Sequence, residues 1–136
     1  MKIEIISCLK DNYSYLIIDE EKKIACVVDP SEAKPIIKYL DEKKINLRFI
    51  LNTHHHFDHV GGNVELKKKY KAKVVGYKDD RKRIPEIDIL LEDQEIWKEE
   101  NFELKVIYVP GHTLGHICFH FPKEKDIKPR HWCCCF

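Results

Sequence analysis

The chain has 136 residues, of which 43% are hydrophobic and 35% are charged, and its 24 lysines and arginines balance 23 aspartates and glutamates. A chain of this size builds one hydrophobic core, and this composition is typical of a globular protein and excludes a disordered or membrane-spanning one. A net charge of +1 provides no bulk attraction for nucleic acid or for an acidic membrane surface. We therefore expect neither nucleic acid nor a membrane as a partner.

Three apolar-rich runs open the chain, at residues 2–8, 13–19 and 23–28, with short polar turns between them. They predict an antiparallel meander of β-strands. Pro30 ends the third strand and Asp29 stands at its carboxyl end, either as a turn-forming residue or as a carboxylate that serves a functional loop. The sequence opens without the basic, apolar and small-residue pattern of a signal peptide, so we expect a cytoplasmic protein.

Helices and strands alternate in the next part of the chain. A first helix is predicted after Ser31, which is a good N-cap, and Pro35 suits its first turn. A second helix is predicted from Asn63 to Tyr70, and strands are predicted at 48–52 and 72–77. This order predicts parallel crossovers that follow the antiparallel start.

The last third of the chain predicts strands that follow an irregular segment. Residues 79–93 are charged and without clear period, so they are predicted as irregular structure. A strand pair is predicted at 95–99 and 102–109, and another strand at 116–121.

A histidine-rich motif, Thr53-His54-His55-His56-Phe57-Asp58-His59, follows the predicted strand 48–52 and precedes two glycines. In an extended chain alternate residues point the same way, so His54 and His56 project together while His55 points elsewhere. Imidazole and carboxylate ligands suit zinc, iron or manganese. A polar surface run is the alternative, but it gives no reason for the interleaved aspartate. The motif predicts a metal site at the carboxyl end of a strand.

This motif resembles that of the metallo-β-lactamase superfamily, and neighbouring blocks resemble the glyoxalase II (hydroxyacylglutathione hydrolase) branch. These blocks run in the order of that branch through Phe121: residues 1–6, Asp11-Asn12-Tyr13, Val27-Val28-Asp29-Pro30, Asp79-Asp80-Arg81 and residues 110–118. The resemblance implies an α/β fold, the αββα sandwich of the superfamily.

The resemblance covers about the amino-terminal half of that sandwich, a mixed sheet plus two helices. We expect residues 1–121 to form this part of the domain and residues 122–136 to be a divergent tail. The tail lacks the Gly-Asp-Thr block that carries the bridging aspartate of the family. A half-sandwich would leave one sheet face uncovered, so we also expect self-association through that face.

The resemblance also implies roles for individual residues. His54, His56 and His112 are implied ligands of one metal ion, and Asp58 and His59 of a second. Asp58 is the implied catalytic residue that orients the attacking water. Asp29 and His116 are implied to orient the metal-binding loops, and residues that bind substrate are not assigned. The family holds two zinc ions, possibly replaced by iron or manganese, and only one well-liganded site is expected here.

The implied activity is hydrolysis of S-(2-hydroxyacyl)glutathione to glutathione and a 2-hydroxy acid such as D-lactate, a step of methylglyoxal detoxification. The expected partner is therefore a small glutathione thioester. Two alternatives stay open: a catalytically impaired metal-binding fragment, and a relative of the mononuclear-iron persulfide dioxygenases. The Asp11-Asn12-Tyr13 block and the triple histidine disfavour the second alternative.

Overall fold

A six-stranded mixed sheet forms the centre of the computed structural model, which describes residues 1–9, 12–111 and 113–121. Its strands lie side by side in chain order: β1 Lys2–Cys8, β2 Asn12–Asp19, β3 Ile24–Val28, β4 Asn46–Leu51, β5 Lys73–Tyr77 and β6 Ile87–Leu91. The first three strands are antiparallel and the last four run parallel. The predicted meander and the predicted parallel crossovers are both confirmed.

Three α-helices connect these strands: α1 Lys34–Lys43, α2 Phe57–Val60 and α3 Asn63–Tyr70. Helix α3 has the predicted bounds. Helix α1 does not use Ser31 as its N-cap, because the cap position is Ala33 and no side chain caps it. Ser31 lies earlier, buried, with its N–H directed to Ser14 Oγ at 3.4 Å. No helix in the described ranges is long and apolar enough to cross a membrane.

Helices α1 and α3 cover one face of the mixed sheet. Ile36 and Leu40 of α1 and Leu66 of α3 are fully buried and share one core cluster with side chains of β2, β3 and β4. Ile36 and Leu40 are four residues apart, the spacing that places two side chains on one face of a helix, so they form the apolar stripe of α1 that packs on the sheet.

A second, three-stranded antiparallel sheet covers the other face. It consists of β7 Ile96–Glu99, β8 Phe102–Tyr108 and β9 Ile117–His120. Its inward side chains join the core cluster of the mixed sheet, where the ring of Phe49 meets Trp97 edge-on at 4.8 Å between centroids. The expectation that this sheet face is uncovered is therefore wrong. The three strands were predicted, but their alternate apolar residues were not recognised as a covering layer.

Strand β6 lies inside the segment that the sequence predicts as irregular, and that prediction is wrong. Residues of β6 alternate between exposed and more buried positions and pair in parallel with β5. Asp88 interrupts the apolar pattern of the strand, but its carboxylate accepts hydrogen bonds from the Val74 N–H at 2.9 Å and from Lys67 Nζ at 2.8 Å. A charged residue is thus satisfied at this edge of the sheet.

Candidate metal centre

The carboxyl ends of β3, β4 and β5 bring the histidine motif and Asp29 together. The Asp29 N–H donates to the carbonyl of Leu51, and the Asn52 N–H donates to the carbonyl of Val75, each at 2.9 Å. Parallel neighbours end at the same edge of a sheet, so the residues that follow them meet there. The motif therefore begins directly beside Asp29.

Asp29 is buried and has a positive φ of 50°, and both of its carboxylate oxygens are engaged. Oδ1 accepts from the Thr53 N–H at 2.8 Å, and Oδ2 accepts from Thr53 Oγ1 at 2.5 Å. Oδ2 also lies 2.9 Å from His59 Nδ1. Because an ionised carboxylate only accepts, Nδ1 of His59 carries the proton, which leaves the lone pair of this imidazole on Nε2.

Thr53 extends the same logic to His54. The hydroxyl hydrogen of Thr53 is directed to Asp29, so its oxygen accepts from Nδ1 of His54, 2.9 Å away. The lone pair of His54 is then also on Nε2. One carboxylate thus sets the tautomer of two imidazoles, directly in His59 and through a hydroxyl in His54.

The ring of His54 lies at the centre of the imidazole cluster. Its centroid is 4.8 Å from that of His56, 4.1 Å from that of His59 and 4.6 Å from that of His116. The ring centroid of His55 lies 5.1 Å from that of His56, and its Nδ1 lies 3.9 Å from Oδ2 of Asp80. The prediction that His54 and His56 approach each other is confirmed by these positions.

Asp58 lies next to His59, with 3.5 Å between Asp58 Oδ2 and His59 Nε2. Asn12 Nδ2 donates to the same carboxylate oxygen at 3.0 Å and to the Asp58 carbonyl at 3.2 Å. Burial alone would raise the pKa of Asp58, but the Asn12 hydrogen bond and the nearby His59 lower it below its usual value. Asp58 is therefore an ionised carboxylate at neutral pH.

The pKa values of His59 and His55 are shifted in opposite directions by their surroundings. Burial lowers the pKa of His59, but the hydrogen bond and charge of Asp29 and the charge of Asp58 outweigh it, so the pKa is raised. Burial lowers the pKa of His55, and the Arg83 charge lowers it further. The carboxylates of Asp29 and Asp58 place negative charge beside His59. This charge favours a positive charge nearby, either a protonated imidazole or a bound cation.

The donor set suits a divalent metal ion. Donor atoms of Asp29, His54 and His59 lie within 4.8 Å of one another, and mixed imidazole and carboxylate donors are those that zinc and similar ions take. Since both oxygens of Asp29 already accept hydrogen bonds, this residue is better suited to orient the imidazoles than to bind the ion. His112, the remaining implied ligand, lies outside the described residues.

Sequence reasoning assigned no role to several polar residues that hold the centre. Asn52 and Asn63 are fully buried and paired, with 2.7 Å from Asn63 Nδ2 to Asn52 Oδ1, and Asn52 Nδ2 donates to the carbonyl of His59 at 3.1 Å. Asn12 donates to the Asp58 carboxylate, and the Thr53 hydroxyl donates to the Asp29 carboxylate. Asn52 directly precedes the motif and Asn63 is the first residue of α3, and the available signal was the polar Asn52 at the end of an apolar strand.

Residues 10–127 match the family described as the Metallo-beta-lactamase superfamily, and the chain belongs to this family. The class that the fold and the imidazole cluster define is therefore that of metal-dependent proteins of this superfamily. Within it, the chain is 68% identical over 127 residues to a protein of Pelagibacter ubique named hydroxyacylglutathione hydrolase. It is 43% identical over 131 residues to a protein of that name from Synechococcus.

The alignments cover nearly all of this chain but only about half of each relative. The Pelagibacter match covers 93% of this chain and 53% of the relative, and the Synechococcus match covers 96% and 51%. The chain thus spans about half the length of the curated relatives it matches.

Solved structures show the same fold. The chain superposes on BLEG-1, a B3 metallo-beta-lactamase, with a TM-score of 0.83 and 22% identity, over 90% of this chain and 68% of the other. It superposes on ETHE1 from Myxococcus xanthus with a TM-score of 0.77 and 22% identity, over 90% and 54%. The predicted metallo-β-lactamase-type fold is confirmed.

Proposed function

We propose that this chain carries the metal-binding part of a hydroxyacylglutathione hydrolase, which cleaves S-(2-hydroxyacyl)glutathione into glutathione and a 2-hydroxy acid such as D-lactate. The observation that carries the proposal is the 68% identity to a relative of that name over 127 residues. The arrangement of His54, His59 and Asp58 supports it, because it supplies donors for a hydrolytic metal centre.

The proposed metal is zinc, and iron or manganese would fit similar donors. His54, His56 and His112 would hold one ion, and Asp58 and His59 would contribute to a second. A bound divalent ion lowers the pKa of water and polarises a carbonyl oxygen. We propose one well-liganded site in this chain, since the second pair offers only two donors.

Asp58 is the proposed catalytic residue. Its carboxylate is ionised and is oriented by Asn12, so it can accept a hydrogen bond from the attacking water and direct the water oxygen towards the thioester carbon. In the balanced reaction the water oxygen bonds to the acyl carbon, the carbon–sulfur bond breaks, and the protons of water are shared between the acid and the leaving thiolate. Asp29 and His116 orient the imidazoles around this position.

The proposal is tested by hydrolysis of S-D-lactoylglutathione with added zinc. Both this chain and a chimera that continues it with the second half of the Pelagibacter relative are assayed. In the chimera, Asp58→Asn is expected to lower the rate by about 100-fold or more, whereas Asp79→Asn, at an exposed position, should leave it unchanged. A chimera that folds and binds zinc but leaves the thioester intact would contradict the proposal.

The alternative of a metal-binding protein without useful activity is distinguished by the same assay. It would bind zinc, and its chimera would gain no thioesterase activity. A cytoplasmic location is part of the proposal, and fractionation of cells that express the chain would test it.

A further inference from the structure

Asp80 carries a fully buried carboxylate at the end of the 3-10 helix Lys78–Asp80, and three separate parts of the chain meet on it. Arg83 contacts its Oδ1 through Nη2. Nδ1 of His55 lies 3.9 Å from its Oδ2. A β-carbon built on Gly115 would overlap the carboxylate, so the backbone of that residue lies directly against it. A charge is costly to bury, and this one is held by a single guanidinium.

Two of the three contacts, those with His55 and Gly115, connect Asp80 with both loops of the candidate metal centre. His55 is part of the loop at residues 53–59. Gly115 is part of the loop between β8 and β9 and precedes His116, whose ring lies 4.6 Å from that of His54. Asp80 therefore lies between the two loops.

The position of Asp80 is fixed by its own backbone and by β5. Its carbonyl accepts from the N–H groups of Arg83 and Ile84, each at 2.9 Å. The 3-10 helix follows β5 directly, and β5 pairs with β4, which leads into the histidine motif. The two loops are joined at their base by a hydrogen bond from the Ile117 N–H to the Thr53 carbonyl at 2.9 Å, and the Asp80 carboxylate is a second fixed point between them, at His55 and Gly115.

Two atoms between Asp80 and His55 lack a hydrogen-bond partner in the part of the chain that the structure describes. Within the described ranges, Asp80 Oδ2 and His55 Nδ1 are both buried and have no hydrogen-bond partner. Their separation of 3.9 Å is too long for a hydrogen bond, and an approach of about 1 Å would form one. Buried polar groups rarely lack a hydrogen bond. We therefore expect these two facing atoms to approach and form a hydrogen bond in another state of the protein.

We propose that Asp80 is a positioning residue of the metal centre: its carboxylate braces the two loops where they face each other, and its Oδ2 would accept a hydrogen bond from His55 Nδ1 when the centre holds a metal ion. The proposal rests on the metal centre of the proposed function. It assigns Asp80 no contact with substrate or metal, and it gives a role to His55, the histidine of the motif whose Nδ1 faces the Asp80 carboxylate.

The first test is zinc affinity, measured by competition with a chromophoric chelator on the 136-residue protein. Asp80→Ala is expected to weaken zinc binding by about 10–100-fold, the usual loss when a residue that orients metal ligands is removed. Asp80→Asn keeps the shape and one acceptor and should lose less. Asp79→Asn is the matched control, because Asp79 is the exposed neighbour and should bind zinc as the unchanged chain does.

The second test follows His55 itself. In the unchanged chain, imidazole NMR should show a downfield, exchange-protected Nδ1 proton of His55 that appears on zinc addition. The same signal should be absent in Asp80→Ala and in His55→Ala. A residue with a merely structural role would lower stability without abolishing a zinc-dependent signal.

The third test is a double-mutant cycle between Asp80 and Gly115. Gly115→Ala should weaken zinc binding, because the added methyl group overlaps the carboxylate. In Asp80→Ala that overlap is gone, so Gly115→Ala should cost little more there. Additive losses in the double variant would contradict a shared contact.

The outcomes separate this inference from the proposed function. If the unchanged chain binds no zinc, the metal centre and this inference both fail. If it binds zinc and Asp80→Ala binds equally well, only the inference fails. If both Asp80 variants stay unfolded by circular dichroism even with zinc, Asp80 is needed for folding and the positioning role is overturned.

Discussion

At the scale of single residues, the hydrogen-bond chain from Asp29 through Thr53 to His54 organises the candidate metal centre. The Thr53 hydroxyl donates to Asp29 Oδ2 and accepts from His54 Nδ1. A hydroxyl is suited to this place because it can donate and accept at once. Serine offers the same hydroxyl, whereas valine has nearly the same shape and none.

We therefore expect Thr53→Val to weaken zinc binding by about 10–100-fold, because His54 loses the partner that fixes its tautomer. Thr53→Ser should stay close to the unchanged chain. Chelator competition measures both, and circular dichroism of the metal-free proteins checks that the folds are retained. Equal affinities in the valine and serine variants would contradict the role of the hydroxyl.

A second residue-scale prediction concerns pH and Asp88. Burial raises the pKa of Asp88, but hydrogen bonds from Lys67 and from the Val74 N–H outweigh this rise, so its pKa is below the usual value. A depressed pKa means that the folded state favours the carboxylate. The stabilisation is present above the unfolded pKa and is lost as pH falls through the folded pKa.

Asp88→Asn should therefore destabilise the protein by about 1 kcal/mol near neutral pH, and the difference should shrink as the pH is lowered below about 4. Urea unfolding of both proteins across this range measures it. Glu42→Gln, at an exposed position, is the control and should show no such trend. A constant difference at all pH values would mean that the charge of Asp88 is not responsible.

Parts of the site could be predicted from the sequence because they are local. His54, Asp58 and His59 lie within one short motif, and strand geometry sets which side chains approach each other. Asn12 is far from Asp58 in sequence, and its hydrogen bond to that carboxylate depends on the meander closing over the motif. Without the tertiary fold, nothing in a lone asparagine identifies such a contact.

At the scale of elements, helix α1 shows why periodic segments are predictable. Ile36 and Leu40 repeat at helical spacing and are both fully buried, so the pattern and the packing agree. Its first residue was harder to predict, because Ser31 does not cap the helix and its N–H instead contacts Ser14 of β2. Strand β6 was missed for the same kind of reason: Asp88 is satisfied by Lys67 and by the backbone of β5.

The packing of α1 gives a prediction of stability. Leu40→Ala should lower the free energy of unfolding by about 2–5 kcal/mol, because it removes apolar contacts and leaves a cavity against the sheet. Lys38→Ala, on the exposed side of the same helix, should change it by less than about 0.5 kcal/mol. Urea unfolding measures both, and equal effects would mean that α1 does not pack as described.

At the scale of the whole molecule, the second sheet alters the reason to expect self-association. Strands β7–β9 cover much of the inner face of the mixed sheet, but Ile5 and Tyr13 on the β1–β2 part of that face remain 48% and 57% exposed. They lie on the same side as Ile3 and Tyr15, which pack against the core. Self-association remains a prediction, and its basis is now this smaller apolar strip.

If the strip is responsible, the unchanged chain should sediment as a concentration-dependent oligomer. An Ile5→Ser/Tyr13→Ser double variant should shift towards the monomer, because it removes exposed apolar area. Phe57→Ser is the control, since Phe57 is 76% exposed but belongs to α2, outside the strip. Sedimentation velocity at several concentrations decides, and a monomeric unchanged chain would contradict the prediction.

The last prediction follows from the proposal of a single well-liganded metal site. Three imidazoles can hold one zinc and leave a position for water, whereas Asp58 and His59 alone provide only two protein donors for a second ion. We therefore expect the 136-residue protein to bind one zinc tightly, and the chimera with the second half of the Pelagibacter relative to bind two.

The rates should differ more than the metal content. In the chimera, added residues can hold the glutathione moiety against the metal centre, and positioning of a substrate lowers a barrier by up to about 7–11 kcal/mol in favourable cases. We expect thioester hydrolysis by the 136-residue protein to be slower than by the chimera by about 100-fold or more, which needs only about 3 kcal/mol of that effect. Metal analysis and the S-D-lactoylglutathione assay on the same samples measure both quantities. Equal rates with one zinc in each protein would show that the 136-residue protein suffices for catalysis, and that a second ion is not required.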